Sequence, residues 1–266
     1  MPIQFYTDLF WAVAVFVLGA VVGSFLNVVI VRLPQGASIV YPPSRCPVCL
    51  HEVRPYDNIP VVSFFVLMGR CRDCGSRISF RYPFVEFTSA CLCLALYWKF
   101  GLTPAFGVFF AFCSSLIVIF WIDLDHMIIP DVISLNGLGV GAICAVAGWI
   151  PDLDWRLSLI GTFLGGGILY FPAVIYEKVR GMEGLGGGDI KLLAMIGAFT
   201  GPQAVIFVLF CSSLVGTVTA LSMLAIRGGS ASSPIPFGPF LTSSAILYVF
   251  AGKQVMNYFY ELSAYV

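Results

Sequence analysis

The sequence predicts an all-α polytopic membrane protein of about eight transmembrane helices, with a small polar domain between helices 1 and 2. Three observations predict it. Of the 266 residues, 59% are hydrophobic and 11% are charged, against about 25% charged in an ordinary soluble domain, and the mean hydropathy is +0.94. Apolar runs of roughly bilayer length recur along the chain. A single stretch, 32–83, breaks that pattern with arginines, prolines and paired cysteines. The formal net charge is zero, so no overall basic field points to nucleic acid as a partner.

The first run, Leu9–Val31, lacks a small-residue cleavage site and reads as a retained span. The next are Phe84–Phe100, Ala105–Ile122, Val132–Ile150 and Leu157–Tyr176. A short Ile190–Phe199, then Ala204–Ile226 and Phe237–Ala251, complete the set. The sixth is about ten residues, roughly 15 Å of helix; it must be buried among neighbours or tilted into the surface. With both termini outside, 11 of the 14 basic residues fall inside, and only Lys99, Arg156 and Lys253 fall outside. Short loops rich in Lys and Arg stay in the cytoplasm, so the polar domain is expected at the cytoplasmic face. The division is then a first transmembrane helix over 1–31, a cytoplasmic domain over 32–83 and a membrane-embedded core over 84–266.

Within the polar domain, Cys46-Pro47-Val48-Cys49 precedes Cys71-Arg72-Asp73-Cys74-Gly75 by 21 residues. Two C-x-x-C pairs at this spacing mark a tetrahedral four-thiolate zinc site. Gly75 supplies the backbone freedom that such a knuckle needs. A domain of about 50 residues buries little core, so a structural metal supplies folding free energy that packing cannot. A thiol–disulfide redox centre is the alternative chemistry for a C-x-x-C pair. Disulfides fit poorly with a reducing cytoplasm. Cys91, Cys93, Cys113, Cys144 and Cys211 lie inside spans, where cysteine packs as a small hydrophobe.

The third span ends in Phe120-Trp121-Ile122-Asp123-Leu124-Asp125-His126. An ionisable group at the edge of an apolar span is expensive and marks function. Asp189, preceded by Gly184-Leu185-Gly186-Gly187-Gly188, opens the short sixth span from the same side. The two carboxylates are candidates to meet at one membrane face. If they do, like charge keeps one of them protonated, and the pair can activate water and protonate an amide oxygen. An ion or proton pathway would use carboxylates similarly, and Asp189 alone could cap its helix. Asp125 points about 200° away from Asp123 on a continuous helix and is not expected to share a site with it. Asp131, after Pro130, reads as a helix N-cap, and His126 reads as an interfacial residue.

Several motifs, in order, resemble the bacterial type IV prepilin peptidases. They are Gly23-Ser24-Phe25-Leu26-Asn27-Val28 with Arg32-Leu33-Pro34, the two cysteine pairs, Asn58-Ile59-Pro60, and Arg81-Tyr82-Pro83-Phe84-Val85-Glu86. Ile122-Asp123-Leu124-Asp125-His126, Ile129-Pro130-Asp131, Gly186-Gly187-Gly188-Asp189-Ile190-Lys191 and Pro234-Ile235-Pro236-Phe237-Gly238-Pro239 continue the match nearly end to end. The resemblance implies an intramembrane aspartyl protease of the bacterial inner membrane with Asp123 and Asp189 as its catalytic pair. It implies prepilins and the pseudopilins of type II secretion as substrates, cut after a glycine that ends a short basic leader. Members that keep the four cysteines also N-methylate the new terminus from S-adenosylmethionine, and here Cys46, Cys49, Cys71 and Cys74 are all present. No Gly-rich dinucleotide-type loop is present to bind that donor.

Overall fold

A computed structural model describes residues 2–181, 186–227 and 235–264. Gly184, Leu185 and Pro234, which belong to the motifs above, lie outside the described residues. The chain forms two compact units, Met1–Val118 and Ile119–Val266.

In the first unit, α1 (Pro2–Arg32) runs into a 3-10 turn at Leu33–Gln35. The cysteine segment follows, with a second 3-10 turn at Pro55–Asn58, the five-residue α2 (Val62–Val66) and then α3 (Arg81–Phe100). The first part of α4 (Pro104–His126) completes it. Helices α1 and α3 pack closely because Gly19 and Gly23 leave room. A Cβ at Gly19 would lie 2.6 Å from Cys93 Cβ, and one at Gly23 would lie 2.6 Å from Glu86 Cα. Where lipid removes the hydrophobic drive between helices, such close van der Waals contact is what holds them together. Asn27 on α1 donates its side-chain N–H to the Tyr82 carbonyl at 3.1 Å, tying the end of α1 to the start of α3.

The second unit holds the end of α4, then α5 (Asp131–Val146), α6 (Trp155–Arg180), α7 (Gly187–Thr200) and α8 (Pro202–Arg227). It closes with α9 (Gly238–Leu247), a π-helical segment at Tyr248–Gly252 and α10 (Lys253–Ala264). Each of the eight apolar runs is helical over most of its length. Among the described residues, four helical stretches are long and apolar enough to cross a membrane: Asp8–Gln35, Pro104–His126, Trp155–Arg180 and Pro202–Ile226. The chain is a multi-pass membrane protein. Helix α5 is apolar but shorter, at 16 residues.

Helix α7 takes the first of its two expected options. All eight residues from Leu192 to Phe199 are buried, so a helix too short for the hydrocarbon core meets protein instead of lipid. Its neighbours are small where they touch it. A Cβ on Gly161 of α6 would run into the Gly197 carbonyl, one on Gly165 into the Leu193 carbonyl, and one on Gly137 of α5 into Met195. The Ser158 hydroxyl donates to the Ala198 carbonyl at 2.8 Å. Gly201, at φ +81°, ends α7, and Pro202 starts α8; the left-handed angle is open to glycine and costly for other residues.

Candidate active site and metal centre

The two C-x-x-C pairs form two knuckles of like design. Each is framed by a short antiparallel bridge, Arg45 with Glu52 and Arg70 with Arg77. In each, the amide four residues after the first cysteine returns to that cysteine's carbonyl: Leu50 to Cys46 at 2.9 Å, Gly75 to Cys71 at 2.9 Å. That fourth position has φ +61° at Leu50 and +70° at Gly75. Glycine therefore stands where the second knuckle needs it, while the first forces a leucine into the same conformation.

The knuckles bring Cys46, Cys49, Cys71 and Cys74 together, with all four Sγ atoms within 4.8 Å of one another. A tetrahedral Zn–S length of about 2.3 Å implies an S–S edge of about 3.8 Å. Cys46 Sγ lies 3.8 Å from Cys74 Sγ, and Cys49 Sγ lies 3.9 Å from Cys71 Sγ. All nine cysteines are free thiols, with no disulfide among them. The Cys49 backbone N–H, with the Ser76 hydroxyl, brings the Cys46 thiol down to about 6. Cys49 goes the other way. Although the His51 backbone N–H favours its thiolate, lost hydration and the neighbouring sulfurs push it up to about 12. Four thiolates repel unless a cation sits among them, so the donor set fits a soft divalent ion. The second knuckle is clamped from below by Arg72, which grips Asp57 of the Pro55–Asn58 turn at 2.8 and 2.6 Å. That guanidinium holds the Asp57 carboxyl below the usual range.

In the second unit, α4 continues unbroken through His126. Asp123, on its last turn, is 5% exposed, whereas Asp125 and His126 are exposed. For Asp125, about 200° round the helix from Asp123, the helical phase anticipated from the sequence accounts for the difference. Asp123 Oδ2 accepts a hydrogen bond from the Gly238 backbone N–H at 2.9 Å. Gly238 is the first residue of α9 and is followed by Pro239. The free N–H groups at a helix start suit a carboxylate. Glycine leaves room for this contact, since a Cβ there would lie 2.5 Å from Oδ2 and would displace the carboxylate.

Asp189 is the third residue of α7, half-buried, and its amide donates to the Gly186 carbonyl at 3.1 Å. The N-cap of α7 is Gly186, so Asp189 stands inside the first turn and not at the cap position itself. Gly188 packs flat on Ile129, where a Cβ would lie 2.9 Å from Ile129 Cβ, which seats the start of α7 beside the Ile129-Pro130 segment.

Asp131 requires a correction. The N-cap of α5 is Pro130, with no side-chain cap bond. Asp131 instead grips Lys191 Nζ with both oxygens at 2.8 Å, joining α5 to α7 two residues from Asp189. A residue following proline can serve either role, and the sequence alone cannot reveal a partner 60 positions away. The sequence alone gives Gly238 no role beyond its place in a motif; its signal is a Gly-Pro pair at a helix start.

Comparison with known proteins identifies the family. Residues 17–100 match the bacterial peptidase A24 N-terminal domain, and residues 110–221 match the type IV leader peptidase family. The chain is 36% identical over 271 residues to a prepilin leader peptidase/N-methyltransferase of Pseudomonas aeruginosa, covering 93% of each chain. It is 35% identical to the protein of that name in Pseudomonas putida, covering 90% of each. A Myxococcus xanthus protein of the same name is 42% identical over 220 residues, 82% of this chain and 64% of its own. No solved structure matches the chain. The chain belongs to the type IV leader peptidase family.

Proposed function

We propose that the chain is an intramembrane aspartyl endopeptidase that removes the basic leader of prepilins and pseudopilins after a glycine. It then N-methylates the new terminus with S-adenosylmethionine as the methyl-donating co-substrate. The observation that carries the peptidase half is the buried Asp123, gripped by the Gly238 amide at the start of α9. A buried carboxylate at the end of a membrane helix is expensive, and its retention marks chemistry.

In this reading one of the two aspartates is ionised and the other holds a proton. The ionised carboxylate takes a proton from a water molecule, whose oxygen attacks the scissile carbonyl. The protonated carboxyl donates to the carbonyl oxygen, giving a neutral tetrahedral diol. Collapse breaks the C–N bond as a proton passes to the departing amine, and the pair returns to its starting state. The Gly238 N–H holds the Asp123 rotamer through the cycle. A prepilin joins a charged leader to an apolar helix, so its scissile bond lies at the bilayer boundary, the depth at which α4 and α7 present their aspartates.

The cysteine domain over 32–83 supports methyl transfer, and the core over 84–266 carries proteolysis. Cys46, Cys49, Cys71 and Cys74 would hold a structural zinc, which supplies folding free energy to the domain when bound. The topology is eight spans with both termini periplasmic and the cysteine domain cytoplasmic, in the bacterial inner membrane. Incubating the purified full chain with a synthetic leader-containing peptide and S-adenosylmethionine tests the proposal. Mass spectrometry should find a cut after the glycine and a product one methyl group heavier only when the donor is present. An uncut peptide would overturn the proposal.

A further inference from the structure

The cysteine domain carries an apolar surface that its own fold leaves uncovered. Phe65, Val66 and Met68 are 64%, 68% and 86% exposed, and Val62, Ile59 and Phe80 beside them are also exposed. Only Ser63 and Phe64 face inward on α2. The Ser63 hydroxyl donates to the Tyr56 carbonyl at 3.1 Å, and the Phe64 ring packs edge-on against Phe80 at 5.9 Å. A cluster of this size on a domain of about 50 residues is not the scattered exposure of an ordinary surface.

Its depth says what covers it. The Val61 amide donates to Glu86 Oε2 at 2.7 Å, and Glu86 lies five residues past the first residue of α3, about 7.5 Å into that helix. Glu86 is itself buried, against Gly23 of α1, and α1 belongs to a candidate membrane span. The segment that opens α2 is therefore bonded to a point inside the paired helices, not above their ends. At that level α3 also exposes Phe84 and Phe87. The backbone shows that this docking is imposed, because Val61, a β-branched residue, is held at φ +62°, ψ −50°. Such a conformation persists only where surroundings over-determine it.

Charge completes the pattern. Arg70 and Arg77 face each other across the bridge that follows α2, and both are exposed. Neither has an ion-pair partner among the described residues, whereas Arg45, Arg54 and Arg72 pair with Glu52, Asp73 and Asp57. Two like charges directly opposite each other repel, and an anion between or beneath them removes the conflict. Apolar side chains flanked by unpaired arginines make the pattern of an element lying in the interface of an anionic bilayer. A basic leader peptide is repelled by the same arginines.

We propose that α2 and the residues flanking it form a monotopic anchor, dipping Phe65, Val66 and Met68 below the lipid headgroups while Arg70 and Arg77 bind headgroup phosphates. The anchor fixes the orientation of the cysteine domain on the bilayer, beyond the tether that α1 and α3 provide. The proposal rests on the membrane placement of those helices and is independent of the peptidase chemistry, which the cleavage assay tests separately.

The test uses the full-length protein in nanodiscs, with the photocrosslinker p-benzoylphenylalanine in place of Val66, of Phe65, or of Glu52 as an exposed control. Discs are made of phosphatidylcholine alone or doped with phosphatidylglycerol, and adducts are identified by mass spectrometry. Lipid adducts at least tenfold more abundant from positions 65 and 66 than from position 52 are expected. The double variant Arg70→Glu, Arg77→Glu should lower that yield severalfold in phosphatidylglycerol discs and leave it unchanged in phosphatidylcholine. Sparse lipid adducts at all three positions would overturn the anchor, as would adducts to a second copy of the chain or to an added leader peptide. An unchanged yield in the arginine variant would overturn the headgroup contact.

Discussion

Replacing Gly238 by alanine tests how the candidate site is held, with the smallest change the side-chain alphabet allows. The added Cβ would lie 2.5 Å from Asp123 Oδ2 and 3.0 Å from Cγ, where ordinary contact begins at 3.4 Å. The carboxylate or the start of α9 must then move by about 0.9 Å to restore van der Waals separation. Such a shift breaks the 2.9 Å bond from the Gly238 amide. A hydrogen bond to a charged group is worth about 1.5–3 kcal/mol, and a misplacement of about 1 Å can cost on the order of 100-fold in rate. Leader-peptide cleavage by Gly238→Ala should therefore fall by roughly 10- to 100-fold in kcat, with KM little changed. The assay is initial-rate cleavage in detergent, with circular dichroism to confirm an intact helical fold. Cleavage at the wild-type rate would refute the claim that this amide positions Asp123.

Three further outcomes follow from other parts of the molecule. Gly197→Leu should destabilise the second unit by about 3 kcal/mol or prevent its assembly, because the side chain has to displace the Gly161 backbone; an unchanged thermal midpoint in detergent would contradict the packing. Cys46→Ser with Cys71→Ser should abolish bound zinc and reduce methylation far more than cleavage. Metal analysis reads the first and product mass the second, and a wild type without zinc would refute the assignment. The Arg72 grip holds the Asp57 carboxyl low, so its stabilisation is present above the unfolded pKa of about 3.9 and lost as pH falls through the folded value. Asp57→Asn should remove that acid dependence and weaken the domain at neutral pH, read as zinc release against pH; a release curve identical to wild type would contradict the clamp.

What the sequence could announce was local. Hydropathy marked the helical runs because burial in lipid is read one residue at a time, and the cysteine pairs showed their site because each knuckle is closed by contacts four or five residues apart. Asp123 stood out for a similar reason, as a charge at the end of an apolar run. The partners of these groups did not. The Gly238 amide is 115 positions from Asp123 and Lys191 is 60 from Asp131; such pairings depend on which helices become neighbours, which no single stretch encodes. Hydropathy likewise left open whether the short α7 would be buried or tilted. The glycines of α5 and α6 decide this by letting their backbones close on it. The apolar surface around α2 is not legible in the sequence, because its residues sit in short runs inside a polar stretch.

The central claim is that Asp123 and Asp189 together cut the peptide. It is tested most directly by cleavage kinetics of the leader peptide with wild type, Asp123→Asn and Asp189→Asn, each checked for helical content and zinc. Asparagine keeps the shape and removes the titrating proton, so each single variant should lose about 10²–10⁴-fold in kcat while its methylation of a pre-cut peptide persists. Cleavage by either variant at the wild-type rate would contradict the account.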